Sequence, residues 1–209
     1  MKMISKDQDH VHDPGTNSDF DLPSLTVNRT GALNGDHTHE IKLYLARDVE
    51  VAPQHHINIG ASYRGRSGAP TNYLAAHVTY GPDEVFRLPR GSGDRRPWEH
   101  DFDLHVGYAF LQTKTQTLAV TFDVFNLFDL QAVTRRGETY TLRPVEPITG
   151  ANATNPFVGG DRKNIDPTKI QASDGDARPF DNTEKDRTFG APLQYQDPIT
   201  ICFGVKSTF

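Results

Sequence analysis

Residues 101–110, DFDLHVGYAF, alternate without interruption. Phe102, Leu104, Val106, Tyr108 and Phe110 fall on one parity, and Asp101, Asp103, His105, Gly107 and Ala109 on the other. Successive side chains of a strand point to opposite faces of its sheet, so this stretch predicts a strand with one apolar and one wet face. The pattern recurs. EIKLYLARDV (40–49) sets Ile41, Leu43, Leu45 and Val49 against Glu40, Lys42, Tyr44 and Asp48. Arg47 alone breaks the apolar parity, and it reads as a side chain snorkelling from near a strand end. After a turn at EVAP (50–53), HHINIGASYRGR (55–66) places Ile57, Ile59, Ala61 and Tyr63 opposite Asn58, Gly60, Ser62 and Arg64. The pair reads as a hairpin.

Further on, a strand is predicted from about Trp98 to Leu111, a short turn at QTKT, and another strand in QTLAVTFDVFNLFD (116–129). In the latter Leu118, Val120, Phe122, Val124 and Phe128 share a parity, and Asn126 breaks the register as a bulge would. AVTRRGETYTL either extends that strand or forms a separate short ribbon. Residues 67–97 are mixed and rich in Gly and Pro, and 143–197 are polar, acidic and turn-rich with almost no periodicity, so both read as long loops. The chain ends on ITICFGVKSTF, with Ile199, Ile201, Phe203, Val205 and Phe209 on one face and Thr200, Cys202, Gly204, Lys206 and Thr208 on the other. Helix signals are nearly absent among 14 prolines and 17 glycines.

A two-faced strand fits an antiparallel sheet over a soluble core, and it fits a barrel wall with lipid outside and water inside. Strand length and loop asymmetry favour the wall. Strands of about ten to twelve residues, tilted near 45°, span about 25 Å, the height of an outer-membrane barrel's apolar band, whereas soluble strands average about five or six residues. Connections run short, long, short, long, the asymmetry of periplasmic turns and extracellular loops. The expected fold class is therefore all-β, an antiparallel outer-membrane barrel segment of about five or six long strands with long extracellular loops. On this reading Phe102, Leu104, Val106, Tyr108 and Phe110 face lipid, and Asp101, Asp103 and His105 face the lumen. Trp98 sits at the outer rim, with Phe110 and Phe209 at the periplasmic rim. A sandwich with long strands remains the counter-reading.

Composition narrows the picture further. Of 209 residues 35% are hydrophobic, and the mean hydropathy is -0.60, low for a compact globule and compatible with one-sided burial. No apolar run is long enough for a transmembrane helix, which leaves membrane strands open. The net charge is -5, and the basic cluster RLPRGSGDRRP lies among Gly and Pro without an aromatic stacking platform, so nucleic acid is not an expected partner. Cys202 is the only cysteine, which excludes a disulfide framework and a thiolate metal site. The N-terminus, MKMISKDQDHVHDPG, shows no apolar signal core.

Nine histidines raise a metal hypothesis through HVH (10–12), HTH (37–39) and HH (55–56), because a His-x-His pair on a strand can chelate. Exposed loop or lumen histidines explain them more simply, and no metal is assigned. Asp101, Asp103 and His105 offer an acid and a base without a nucleophile or a pocket signal, so no catalytic residue and no cofactor is assigned. DGDARPFDN lacks the ligand spacing of a calcium loop.

Several stretches together resemble one family. FGVKSTF, at the end of an alternating strand, resembles the C-terminal strand of outer-membrane β-barrels, whose final aromatic is read by the barrel-assembly machinery. LAVTFDVFNLFD resembles the NLFD strand near the end of TonB-dependent receptors. GDHTHEIKLYLARDV, SYRGRSGAPTNYL and RGSGDRRPWEHDFDLHVGYAF resemble successive strands and loops of the same receptors, particularly the branch with a carboxypeptidase-regulatory-like domain ahead of its plug. The resemblance runs from about Gly31 to Phe209. It implies a plugged barrel of about 22 strands that imports a scarce ligand, such as an iron-siderophore, with energy from TonB.

Because closure takes no fewer than about eight strands, the chain is expected to be the C-terminal portion of such a receptor, truncated or a remnant. The expected division is a polar N-terminal tail over 1–36 and barrel over 37–209, with 143–197 an extracellular loop. Phe203, Val205 and Phe209 carry the implied assembly signal, with Ser207 departing from the usual apolar residue. Implied partners are outer-membrane lipid, the assembly machinery and, through absent N-terminal parts, the TonB system, in the outer membrane. The alternative is a soluble or cell-surface β-domain that binds a partner through long loops, with a small hydrolase behind it.

Overall fold

The computed structural model describes residues 3–4, 22–111, 116–176 and 178–208. The strands are β1 (Met3–Ile4), β2 (Thr30–Gly31), β3 (Glu40–Ala52), β4 (His55–Arg66), β5 (Leu74–His77), β6 (Gly81–Phe86), β7 (Glu99–Leu111), β8 (Thr117–Phe125), β9 (Val133–Arg136), β10 (Thr139–Pro144), β11 (Pro192–Tyr195) and β12 (Thr200–Thr208). A single helical turn, Pro23–Thr26, and short 3-10 turns complete them. The chain is all-β and its sheets are predominantly antiparallel, as the alternation predicts; none closes on itself. It divides into two units, one of 37–68, 97–134 and 195–209, the other of 1–36, 69–96 and 135–194.

The first unit is a five-stranded antiparallel sheet in the order β12-β8-β7-β4-β3. Its ends differ instructively from the pattern-based expectation. β3 runs to Ala52, so the EVAP turn contracts to Pro53 and Gln54, with Gln54 at φ 73° and a register shift between Glu50 and Ala52. Arg47 lies mid-strand rather than near an end. β8 stops at Phe125, and NLFD forms a turn with Asn126 and Asp129 both at φ 49°, a region that Asn and Asp tolerate. Asn126 is a turn hub rather than a bulge. Its buried amide donates to the carbonyls of Leu130 (3.0 Å) and Asp197 (2.7 Å), its Oδ1 accepts from Leu130 N (2.9 Å), and its own N–H donates to Asp103 (3.1 Å).

The second unit holds most of the buried apolar side chains. β10 pairs in parallel with β5, which pairs antiparallel with β6, and Tyr73, Ala75, Val85, Leu88 and Tyr140 pack there with Val145, Ile148, Ile165, Ile170 and Phe180. Residues 143–194 belong to this body: the aperiodic segment is a loop in pattern but is folded around a core. AVTRRGETYTL resolves into β9, which pairs with β11, and β10.

A segment without strands must satisfy its backbone groups by other means. Here aspartates do so, each accepting from the N–H two residues on. Asp161 accepts from Lys163 (2.9 Å), Asp166 from Thr168 (3.0 Å), Asp174 from Asp176 (3.0 Å), Asp181 from Thr183 (3.0 Å) and Asp186 from Thr188 (2.7 Å). These local turns replace a ladder, which is why acidic composition and order coexist. Tyr140, fully buried, accepts from Ile165 N (2.9 Å) and so ties the loop to the small sheet.

Arg143 gathers the segment. Its nearly buried guanidinium donates to Asp174 (2.8 Å), Glu184 (3.0 Å) and the Arg178 carbonyl (3.0 Å). The Arg143 hydrogen bond holds the Asp174 carboxyl below the usual carboxylate range. For Glu184 burial pushes upward, but the bonds from Asp181 N–H and Arg143 outweigh it and the carboxyl stays low. Groups depressed in the folded state contribute stability that is present above their unfolded pKa and lost as pH falls through the folded one. The second unit is therefore expected to keep its full stability above about pH 5 and to loosen progressively from about pH 4 downward. Amide exchange of residues 143–185 followed against pH checks this, and exchange unchanged between neutral pH and the acid range would contradict it.

Candidate functional site

The two-faced sheet of the first unit is the candidate site. Its register carries one parity straight across all the strands. Leu45, Ala61, Leu104, Val124 and Ile201 form one row, followed by Arg47, Ile59, Val106, Phe122 and Phe203, then Val49, Ile57, Tyr108, Val120 and Val205. Little covers them. Leu43 is 61% exposed, Leu45 73%, Phe203 78% and Val205 74%, values foreign to a sheet that packs on a core.

Aromatic and histidine rings bound this apolar face at both ends. At one end His39 stacks with Trp98 (centroids 6.3 Å), Trp98 with His100 (6.0 Å), and Tyr63 Oη lies 3.0 Å from His100 Nδ1. At the other, His55 lies 4.9 Å from the Phe110 ring, and its Nδ1 is 2.5 Å from the Tyr108 hydroxyl. At roughly 3.3 Å per residue these clusters stand about 26–40 Å apart along β7, which a tilt near 45° reduces to about 19–28 Å. All of these rings but Phe110 present an apolar body and a polar tip, the combination favoured where oil meets water. Arg47 lies one same-face step from the Tyr108 row, within reach of that rim for its flexible stem.

The other parity is polar and internally bonded. Arg66 pairs with Glu99 (2.5 Å), Arg64 with Asp101 (2.6 Å), Ser62 donates to Asp103 (2.9 Å), His105 meets Asp123 (2.5 Å) and Asn58 donates to Asp48 (2.6 Å). Gln196 adds a second donor to Asp101. These pairs link directly opposed residues, the unit of sheet stabilisation. Small residues, Ala46, Gly60, Gly107 and Gly204, share the same face.

Asp101, Asp103 and His105 thus share one face and are each engaged by a neighbour, and Phe102, Leu104, Val106, Tyr108 and Phe110 share the other. Phe203 and Val205 extend that apolar face onto β12, while Phe209 lies outside the described residues. Of the histidine pairs, His10 and His12 lie outside the described residues; His37 engages the Ser67 carbonyl and His39 stacks on Trp98. Among the described residues no group of three or more His, Cys, Asp or Glu side chains is arranged to hold a metal ion. The rim role of His39, His55 and His100 was not drawn from the sequence. Its signal was the shared parity with Trp98 and Tyr108.

No protein-family model matches the chain, and no solved structure matches it. Among curated proteins, the TonB-dependent transporter Oar of Myxococcus xanthus is 40% identical over 201 residues, which take in 94% of this chain and 18% of that protein. The chain is related in sequence to a TonB-dependent transporter, and it spans less than a fifth of that relative's length.

The two Arg–carboxylate pairs of the polar face differ in burial, and burial decides their worth. Glu99 is 4% exposed, whereas Arg64 is 46% and Asp101 20% exposed. Arg66→Ala leaves a buried carboxylate without its cation and is expected to cost roughly 3–5 kcal/mol. Arg64→Ala is expected to cost about 0.2–1 kcal/mol. Denaturant unfolding of the chain refolded in detergent measures both; equal losses would contradict the assignment.

Proposed function

We propose that this chain is the C-terminal part of a TonB-dependent outer-membrane receptor, and that its five-stranded sheet is a sector of the barrel wall. The observation that carries the reading is the exposed apolar face bounded by ring clusters, backed by a bonded polar face. Water cannot be the solvent of the first face at acceptable cost, and a bilayer can. On this reading Phe102, Leu104, Val106, Tyr108 and Phe110 contact lipid, while Asp101, Asp103 and His105 line the lumen. Among the described residues neither β3 nor β12 has a strand on its outer edge, and a longer protein would supply those neighbours.

The similarity to the Myxococcus transporter supports the same reading independently of the geometry. The order of strands and loops also resembles the branch with a carboxypeptidase-regulatory-like domain, and the reading extends to it. Phe203, Val205 and Phe209 then form the signal recognised by the barrel-assembly machinery. The loops of 67–97 and 143–197 face the cell exterior. The role is uptake of a scarce ligand such as an iron-siderophore, with TonB acting on N-terminal parts of the full receptor and no catalysis by this chain.

Two experiments test the proposal. An antibody raised to the loop around Asp174 is expected to detect, in the outer-membrane fraction of the host, a band several times heavier than 23.3 kDa. A band of this chain's own size in the soluble fraction would overturn the receptor reading and favour a soluble β-domain. Leu45 and Ala46 are adjacent on β3 and point to opposite faces, with Leu45 in the central apolar row. Leu45→Arg is expected to cost about 2–4 kcal/mol in lipid and Ala46→Arg close to nothing. Similar losses for both would remove the lipid-facing assignment.

A further inference from the structure

Arg87, in the second unit, is 0% exposed, and its Nε, Nη1 and Nη2 find no hydrogen-bond partner among the described residues. A guanidinium carries five N–H donors and stays protonated in proteins. Burial pushes its pKa down only to about 10, so it is a cation at neutral pH. What surrounds it is aromatic: the Tyr140 ring lies 5.5 Å and the Phe180 ring 5.9 Å from its central carbon. Ring faces return part of the cost of burying the charge, but they leave in-plane N–H donors unmade, and an uncompensated buried cation costs more than such contacts give back.

The Arg87 backbone is held firmly. Its N–H donates to the Tyr73 carbonyl (2.8 Å), and its carbonyl accepts from Ile148 N (2.8 Å) and the Asn28 amide (3.0 Å). Tyr140 is held as well, through Ile165. The segment 178–183, which places Phe180 beside Arg87, makes no backbone-to-backbone hydrogen bond to another element among the described residues. Side chains hold it: Phe180 packs in the core, the Arg178 and Pro179 carbonyls accept from the nearly buried Arg143 (3.0 and 3.4 Å), Arg178 pairs with Glu184 (2.5 Å), and Asp181 N–H donates to Glu184 (3.1 Å). Beyond it the chain is anchored again, with Thr141 Oγ1 donating to the Glu184 carbonyl (2.8 Å) and Asp186 N to the Tyr140 carbonyl (2.8 Å).

We propose that Arg87 is an anion-binding site floored by Tyr140 and covered by the segment 178–183, which lifts Phe180 away to admit a small oxyanion or carboxylate group. An unpaired cation beneath a cover without backbone pairing to its surroundings favours opening, and an anion that reaches only the open form draws the equilibrium that way. The aromatic floor selects ligands that bring a flat or apolar body beside the anionic group. Every residue in the argument belongs to the second unit, so it stands apart from the membrane reading.

The test is hydrogen exchange of peptides covering 178–183 in the full chain, titrated with inorganic phosphate at constant ionic strength. At a concentration ten times the dissociation constant of the open form, exchange is expected to speed up about tenfold and to saturate with the site. In Arg87→Met, which removes the charge and keeps apolar bulk, basal exchange is expected to slow and the phosphate response to vanish. An absent response in the unsubstituted chain, an equal response in Arg87→Met, or faster basal exchange in Arg87→Met would each overturn the proposal. Phe180→Ala supplies a second variant should Arg87→Met fail to fold: exchange faster at rest and responsive at lower phosphate supports the site, and no response overturns it.

Discussion

The five-stranded sheet has an apolar face that is largely exposed, and that condition governs how the rest of the unit is built. In an ordinary sheet domain, hydrophobic burial supplies the driving force and the polar face is left to water. Here the apolar rows from Leu45 to Ile201 and from Val49 to Val205 stay largely exposed, Val124 apart, while the polar face carries dense cross-strand bonding. Stability intrinsic to the sheet must then come from its ladders and from pairs such as Arg66 with Glu99. The apolar face contributes only when an apolar medium meets it. The rims agree, because His39, Trp98, His100 and Tyr63 at one end, and His55 and Tyr108 beside Phe110 at the other, are rings with polar tips placed where such a medium would stop.

The second unit solves the opposite problem. It owns a core but has little regular structure to satisfy its backbone. Aspartate side chains close tight turns along 161–188, and Arg143 collects carbonyls and carboxylates from segments that no strand pairing joins. High acidity, which on composition alone suggests a solvated loop, is therefore part of what orders it.

How much of this was legible follows from the physics of each signal. Period two is a local property, so the strand faces, including Asp101, Asp103 and His105 against Phe102, Leu104 and Val106, could be read directly. Strand ends could not, because they depend on bonds from distant segments: β8 stops where Asn126 reaches Leu130 and Asp197. Arg47 was misplaced for a related reason, since β3 continues to Ala52 through an irregular register. The core of the second unit was hidden entirely. Ile148, Ile165, Ile170 and Phe180 are scattered through polar sequence without a period, and only the fold brings them against Tyr73 and Tyr140.

Charge is handled by one rule in both units, and its exception is informative. Buried or half-buried ions are met by partners: Glu99 by Arg66, Asp103 by Ser62 and Asn126 N–H, Arg143 by Asp174 and Glu184. A chain that provides such compensation repeatedly, even in an aperiodic loop, is not one in which an unpaired internal cation passes as ordinary packing. Arg87 sits deeper than any of these ions and has two aromatic rings for neighbours instead of an acid. An apolar side chain would fill that place at less cost, because replacing a buried charge by well-packed hydrophobic bulk is commonly neutral or stabilising. The guanidinium is therefore better understood through what it can bind when its cover moves than through what it contributes to the closed body.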